Sequence, residues 1–246
     1  MNKKKRITMQ HCISLAALFV AATFATGAIA DDNRHKAIMS MNPSAYWPLD
    51  ERAIQQPVRD AAGRDDDGFI DGVRIAQPGS APGRLSMTFG VVPGINLVDT
   101  SAAVQGNGAR TVIAWIKTTY FDAQAVFASG TPDVAQAFNL VVGYSGCASV
   151  GLMGWADDFY PCGAFLADGA WHMIAATYDG AGSLNLYADG VLDASTFIGY
   201  NTTGQNNYIG RSNHEGFEFP FRGSIENVAT FRRALSGAEI AKLAGS

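Results

Sequence analysis

The sequence predicts an all-β fold, a two-sheet antiparallel sandwich that ends in a short helix. Residues 184–188 (LNLYA) place apolar side chains on one side and Asn185 and Tyr187 on the other, and this period of two indicates a half-buried strand. Asp179-Gly180 and 189–190 (DG) lie where hairpin turns are expected, because both residue types tolerate positive φ. About a dozen such short runs, separated by turns, are typical of a β-sandwich.

The strand-like segments follow one another along most of the chain. Residues 110–118 and 171–178 are apolar on both faces, which predicts central strands. Residues 60–72 are rich in Asp and Gly, which predicts a loop. The remaining predicted strands are 45–49, 84–89, 95–98, 124–129, 137–143, 148–153, 159–166, 184–188, 208–209 and 225–231.

The last element is predicted to be a helix with a defined start. Ser236 precedes Glu239 by three residues, which is the spacing of a capping box that satisfies free N–H groups of the first turn. Ile240 and Leu243 then form a short apolar stripe.

Residues 1–30 are predicted to be a secretory signal peptide. A basic run, 3–6 (KKKR), precedes a short apolar stretch at 13–20 and a small-residue cleavage motif at 28–30 (AIA). The mature protein is therefore expected to be secreted or periplasmic, without a membrane span, and an uncleaved N-terminal anchor is the alternative. Residues 31–43 are predicted to be a polar linker, and residues 44–246 to be a single domain.

The charge balance argues against a nucleic-acid partner. Cleavage after Ala30 removes four basic residues and no acidic ones, which changes the net charge from −4 to −8. The sequence shows no basic patch that could neutralise phosphates.

Two cysteines remain after this cleavage, because Cys12 lies in the signal peptide. In an oxidising compartment, Cys147 and Cys162 are expected to form a disulfide that contributes ~3 kcal/mol through the loop it closes. Two free buried thiols are the alternative.

Several short motifs, in a fixed order, resemble the laminin-G-like domains of the concanavalin A-like type. The matching segments are 46–51 (YWPLDE), 168–172 (DGAWH), 178–180 (YDG), 186–190 (LYADG), 208–211 (YIGR), 221–226 (FRGSIE) and 231–236 (FRRALS). The resemblance implies a jelly-roll topology, in which residues 46–49 and 225–231 pair as neighbouring strands.

Calcium is the candidate cofactor. Residues 60–71 carry Asp60, Asp65, Asp66, Asp67 and Asp71, and carboxylates between glycines can supply the several oxygen ligands that Ca²⁺ needs. A solvated turn region is the alternative. The resemblance implies a second calcium site, where the first and last strands meet, and its ligands are Asp50, Glu51 and Glu226. The family more often has Asp-Glu where this chain has Glu226-Asn227.

A ligand-binding surface is predicted between the two cysteines. Aromatic rings stack on the C–H faces of sugars, and acidic side chains accept hydrogen bonds from hydroxyl groups. The predicted ligand-binding residues are Trp155, Asp157, Asp158, Phe159, Tyr160, Asn206 and Arg211. The competing interpretation places Trp155 and Phe159 in the core at strand ends.

These observations favour a non-catalytic module that binds a glycan or an extracellular protein. A carbohydrate-active enzyme is one alternative, but Glu215 and Glu218 lie in a Gly-containing loop rather than on an alternating strand, and no catalytic residue is predicted. An adhesive or structural surface component is the other alternative.

Overall fold

The chain folds into two antiparallel sheets that pack face to face. The computed structural model describes residues 33–54, 56–64, 67–91, 94–97, 104–204, 206–214, 216 and 219–246. Its strands, in chain order, are β1 Ala45–Trp47, β2 Gly68–Ile70, β3 Arg74–Pro78, β4 Leu85–Phe89, β5 Ile95–Leu97, β6 Arg110–Thr118, β7 Gln124–Ala128, β8 Asn139–Val142, β9 Val150–Met153, β10 Trp171–Tyr178, β11 Ser183–Ala188, β12 Val191–Phe197, β13 Asn207–Ile209 and β14 Gly223–Phe231. The predicted all-β sandwich is confirmed.

The larger sheet has eight strands in the order β12-β11-β10-β6-β14-β4-β3, and β1 pairs beside β14. The smaller sheet has six strands in the order β2-β5-β13-β7-β8-β9. Ala45, Tyr46 and Trp47 pair with Thr230, Ala229 and Val228, so the predicted neighbourhood of the first and last strands is confirmed. The two long apolar strands, β6 and β10, lie at the centre of the larger sheet.

The main core lies between the two sheets. Trp47 of the larger sheet and Phe127 of the smaller one are fully buried, with ring centroids 6.2 Å apart. Burial of each large apolar side chain of this kind stabilises the fold by roughly 1.5–3 kcal/mol. The inward faces of both sheets therefore supply the main apolar contact of the domain.

Two helices cover the outer face of the larger sheet. Residues 33–40 form α1, and Gly237–Ala244 forms α2. Ile38 of α1 and Ile240 of α2 pack in one cluster with Trp115 and Phe231 of the sheet. The helix α1 lies in the segment that the sequence predicted to be a linker, and the boundaries of the domain remain predictions.

The capping box of α2 is confirmed. The backbone N–H of Glu239 donates to Ser236 Oγ at 3.3 Å, and the N–H of Ser236 donates to Glu239 Oε2 at 2.8 Å. The predicted turns are confirmed too, since Gly180, Asp189 and Gly190 all have positive φ.

A buried ion pair ties α1 to the larger sheet. Arg34 Nη1 donates to Glu226 Oε1 at 2.6 Å, and both side chains are almost inaccessible. The backbone N–H of Ser80 donates to the other oxygen of Glu226 at 2.9 Å, and the Arg34 guanidinium lies 4.1 Å from the centre of the Trp115 ring. Burial lowers the pKa of Arg34 to about 10, so the guanidinium stays charged at neutral pH.

Four local predictions were wrong. Residues 159–166 do not form a strand, because Pro161 lacks an N–H and only Phe159 pairs, with Leu152. The predicted loop at 60–72 contains β2, and β3 and β12 were not predicted at all. The strand β12 is at the edge of its sheet, where Val191 and Leu192 are exposed, so it lacks an alternating apolar pattern.

None of the helices in the described part of the chain is long and apolar enough to cross a membrane. The predicted signal peptide at 1–30 lies entirely outside the described residues, and it stays a prediction.

Candidate functional site

A cluster of aromatic side chains covers the outer face of the smaller sheet. Ala125, Val141 and Met153 point outward from β7, β8 and β9, and rings from three different loops pack over them. These side chains line an open cleft of about 240 Å³. We call it the aromatic pocket, and it is lined by Tyr144, Met153, Trp155, Asp158, Tyr160, His214 and Phe219.

The rings of the aromatic pocket are arranged in two stacks. Trp155 and His214 are stacked with centroids 4.6 Å apart, and Tyr144 and Tyr160 are stacked at 4.0 Å. Phe219 meets Tyr144 edge-on at 5.7 Å. Rings that already pack on one another lose little conformational freedom when a ligand arrives, so the pocket is preorganised.

The backbone holds Trp155 in an unusual conformation. Trp155 and Ala156 have φ of 59° and 76°, in the left-handed region that bulky residues rarely adopt. Gly154 precedes them, because a Cβ at this position would lie 2.5 Å from Tyr200 Cε1. The N–H of Gly154 donates to Asp158 Oδ1 at 2.8 Å and closes the turn. Backbone strain of this kind is concentrated at functional sites.

Asn213 holds the indole ring of Trp155 through a hydrogen bond. Trp155 Nε1 donates to Asn213 Oδ1 at 3.2 Å, and Asn139 Nδ2 donates to the same oxygen at 3.0 Å. Asn213 Nδ2 in turn donates to the carbonyl of Gly130 at 2.6 Å. The ring is therefore positioned by a buried amide network and not by packing alone.

A disulfide joins the two segments that carry the tyrosine stack. Cys147 and Cys162 are bonded, with a Cα–Cα distance of 5.3 Å, as the sequence predicted. Tyr144 is three residues before Cys147, and Tyr160 is two residues before Cys162. The bond thus limits how far the two stacked tyrosines can separate.

The aromatic pocket carries a negative charge. Asp158 lines it, and the described lining residues include neither Lys nor Arg. Burial raises the pKa of Tyr160, and the neighbouring Asp158 carboxylate raises it further. Burial also raises the pKa of Tyr200, and Asp158 and Asp157 add to this effect. Both tyrosines stay neutral at physiological pH.

The structure brings three of the predicted ligand-binding residues together: Trp155, Asp158 and Tyr160 line one pocket. Phe159 instead packs against the main core, in line with the competing interpretation. Asn206 is exposed and Arg211 stacks over Tyr208 at 4.6 Å, and neither lines the pocket. Asp157 is next to Asp158 in the turn but does not line the pocket either.

Sequence reasoning missed Tyr144, Asn213 and His214 as parts of this site, whereas it had suggested the loop of Phe219 as an addition to the binding surface. Tyr144 lies before the first cysteine, and the other residues come more than fifty residues after the second. No local pattern connects these segments, because the strand pairing of the smaller sheet alone brings them together. Glu215 and Glu218, the carboxylates considered for catalysis, lie outside the described residues.

The predicted metal ligands fall into two separate groups. Glu226 is paired with Arg34. In the acidic segment 50–71, which includes β2, Asp60 orders the turn that follows it, because its carboxylate accepts the N–H groups of Tyr46, Ala62 and Arg64, each at 2.8 Å. Asp65 lies outside the described residues. In the described part of the chain, no three His, Cys, Asp or Glu side chains are grouped so that they could hold a metal ion.

The described residues satisfy the Glu51 carboxylate only in part. Its Oε1 accepts the N–H of Arg59 at 2.9 Å, whereas its Oε2 is buried and no described residue donates a hydrogen bond to it. Burial raises the pKa of Glu51, and the carboxylates of Asp50 and Asp67 contribute to the increase. Asp67 itself accepts the N–H of Asp60 at 2.8 Å. A buried carboxylate oxygen without a partner requires an explanation.

A family model described as the concanavalin A-like lectin/glucanases superfamily matches residues 93–241, more than half of the chain. No curated protein sequence matches. Among solved structures, domain 4 of AbnA, a GH43 extracellular arabinanase from Geobacillus stearothermophilus in complex with arabinotriose, is similar with a TM-score of 0.59 and 22% identity. That similarity covers 82% of this chain and 98% of that one.

Two other solved structures are similar over only part of their length. Trypanosoma rangeli sialidase in complex with sialic acid has a TM-score of 0.61 and 13% identity, covering 90% of this chain and 38% of that one. The botulinum neurotoxin serotype D binding domain has a TM-score of 0.56 and 15% identity, covering 85% and 52%. At these identities the similarities show the fold.

Proposed function

Because the chain belongs to the concanavalin A-like lectin/glucanase superfamily, we propose that it is an exported, non-catalytic module that binds a glycan in the aromatic pocket. The observation that carries this proposal is the preorganised pair of ring stacks beside a fixed carboxylate. A sugar ring presents C–H groups on its faces and hydroxyl groups around its rim, and the pocket offers a partner for each.

Two further observations support the proposal. The similar arabinanase domain was solved in complex with arabinotriose and is covered over 98% of its length, so a domain of this fold accommodates a sugar in another protein. The disulfide supports export, because such bonds persist in oxidising compartments. An extracellular protein as the partner is the alternative outcome of the experiment below.

Replacing Trp155 with alanine is expected to weaken glycan binding by about 2 kcal/mol, roughly 30-fold, because the substitution removes one wall of the pocket. A glycan array should first identify a ligand, and calorimetric titration should then give its affinity. Trp171→Ala is the matched control: Trp171 is also half-buried, but it lies on the larger sheet. The proposal fails if no glycan binds, or if Trp171→Ala abolishes binding and Trp155→Ala does not.

We also propose that one Ca²⁺ binds in the acidic segment 50–71, with Glu51 and Asp67 as ligands and Asp50 beside them. No described residue donates to the buried Oε2 of Glu51, and a cation there would offset the negative charges of Glu51, Asp50 and Asp67. Asp60 already accepts three N–H groups, and Glu226 is neutralised by Arg34. We therefore leave both of these residues out of the proposed ligand set.

Calcium at 100 times its Kd is then expected to raise the melting temperature of the chelator-treated protein by about 5–10 °C. The reason is that an ion that binds only the folded state stabilises it by ~2.7 kcal/mol at this concentration. Glu51→Gln should remove most of this shift. Asp122→Asn, a change at an exposed acidic residue elsewhere, should leave it intact. Equal melting temperatures in calcium and in EDTA would contradict the proposal.

A further inference from the structure

We infer that the aromatic pocket selects sugars that are neutral or carry an amino group, and rejects sugars that carry a carboxylate. The inference rests on the proposed function, and it adds the chemical class of the ligand. It follows from the position of Asp158 and from the charges of the side chains around it.

Asp158 is held in a fixed orientation at the wall of the pocket. Its Oδ1 accepts the N–H of Gly154 at 2.8 Å, within the turn that also presents Trp155. One backbone hydrogen bond leaves a carboxylate with further acceptor sites, since its two oxygens together have about four. Hydroxyl groups and ammonium groups can donate to these sites, whereas a second carboxylate can only repel them.

Among the described lining residues, no Lys or Arg offsets this charge. The Arg211 side chain, which the sequence suggested for ligand binding, is engaged over the ring of Tyr208 at 4.6 Å and does not line the pocket.

The Asp158 carboxylate also affects neighbouring tyrosines of the pocket. The Asp158 carboxylate contributes to the raised pKa of Tyr160, a lining residue, and also of Tyr200 beneath the turn. The Asp158 carboxylate therefore acts on more than one group of the pocket wall. A ligand carboxylate placed between the ring stacks would be repelled by the same charge.

The experiment uses oligosaccharides of two parent sugars, glucose and galactose. For each parent it compares three forms: the neutral sugar, the uronic acid and the amino sugar. The wild-type protein is expected to bind the neutral or amino form at least about tenfold more tightly than the uronic acid form. Added salt should reduce this ratio by screening the repulsion.

Asp158→Asn should reduce the preference to about threefold or less, chiefly by strengthening uronic acid binding, because an amide retains the acceptor for Gly154 but loses the charge. Asp157→Asn, at the neighbouring residue that does not line the pocket, is the matched control and should keep most of the preference. Equal or tighter wild-type binding of the uronic acid form would overturn the inference.

The same titrations separate this inference from the proposed function. If uronic acid forms bind best and Trp155→Ala abolishes that binding, the pocket is a glycan site and the inferred selectivity is wrong. If Trp155→Ala changes the affinity for none of the bound sugars, the site itself is wrong, and the selectivity of this pocket is refuted with it.

Discussion

Replacing Glu226 with leucine is expected to lower the free energy of unfolding by about 3–5 kcal/mol. The substitution leaves the Arg34 guanidinium charged and buried without its carboxylate. It also removes the acceptor of the Ser80 N–H. Chemical denaturation that compares the midpoint and slope of the variant with those of the wild type measures the loss.

The double variant Glu226→Leu with Arg34→Met is the control for this prediction. Replacing both partners of a buried ion pair with apolar side chains is often close to neutral, so the double variant should recover much of the stability. A loss below about 1 kcal/mol in Glu226→Leu would show that the Arg34 contact contributes little, and that α1 is not fastened to the sheet in this way.

Loss of the disulfide between Cys147 and Cys162 is expected to lower the free energy of unfolding by ~3 kcal/mol, since the unfolded chain regains the freedom of the loop that the bond closes. Glycan affinity should fall as well, because the Tyr144–Tyr160 stack is no longer tethered next to the bond. Denaturation and binding of the Cys147→Ser, Cys162→Ser double variant measure both effects.

A reductant provides the control. It should destabilise the wild-type protein to the level of the double variant, and it should leave the double variant itself unchanged. Identical denaturation midpoints of the oxidised and reduced wild-type protein would contradict the prediction.

Much of the larger sheet could be predicted because its signals are local. The apolar run of β10 predicted its boundaries correctly, and the Asp-Gly pairs on either side of β11 located the two chain reversals there. The capping box located α2 from Ser236 and Glu239 alone. In each case neighbouring residues carry the information, through alternation, positive φ or the three-residue spacing of a cap.

The features that were missed depend on tertiary contacts. In α1, Ile38 is buried in a cluster that includes Trp115 and Phe231 of the sheet, and Arg34 is buried where it pairs with Glu226. The aromatic pocket could be predicted in part: the segment between the cysteines supplied Trp155, Asp158 and Tyr160. The rest of the lining comes from distant segments, and its proximity follows from strand order, which periodicity does not determine.

The central claim is that a glycan contacts Trp155. The protein has four tryptophans, so a ¹H–¹⁵N correlation spectrum should show one indole N–H signal for each, and Trp155→Phe identifies the signal of Trp155. Titration with a bound glycan is expected to shift this signal progressively and to leave that of Trp171 in place. A shift confined to Trp171, or no indole shift at a glycan concentration that saturates binding, would contradict the account.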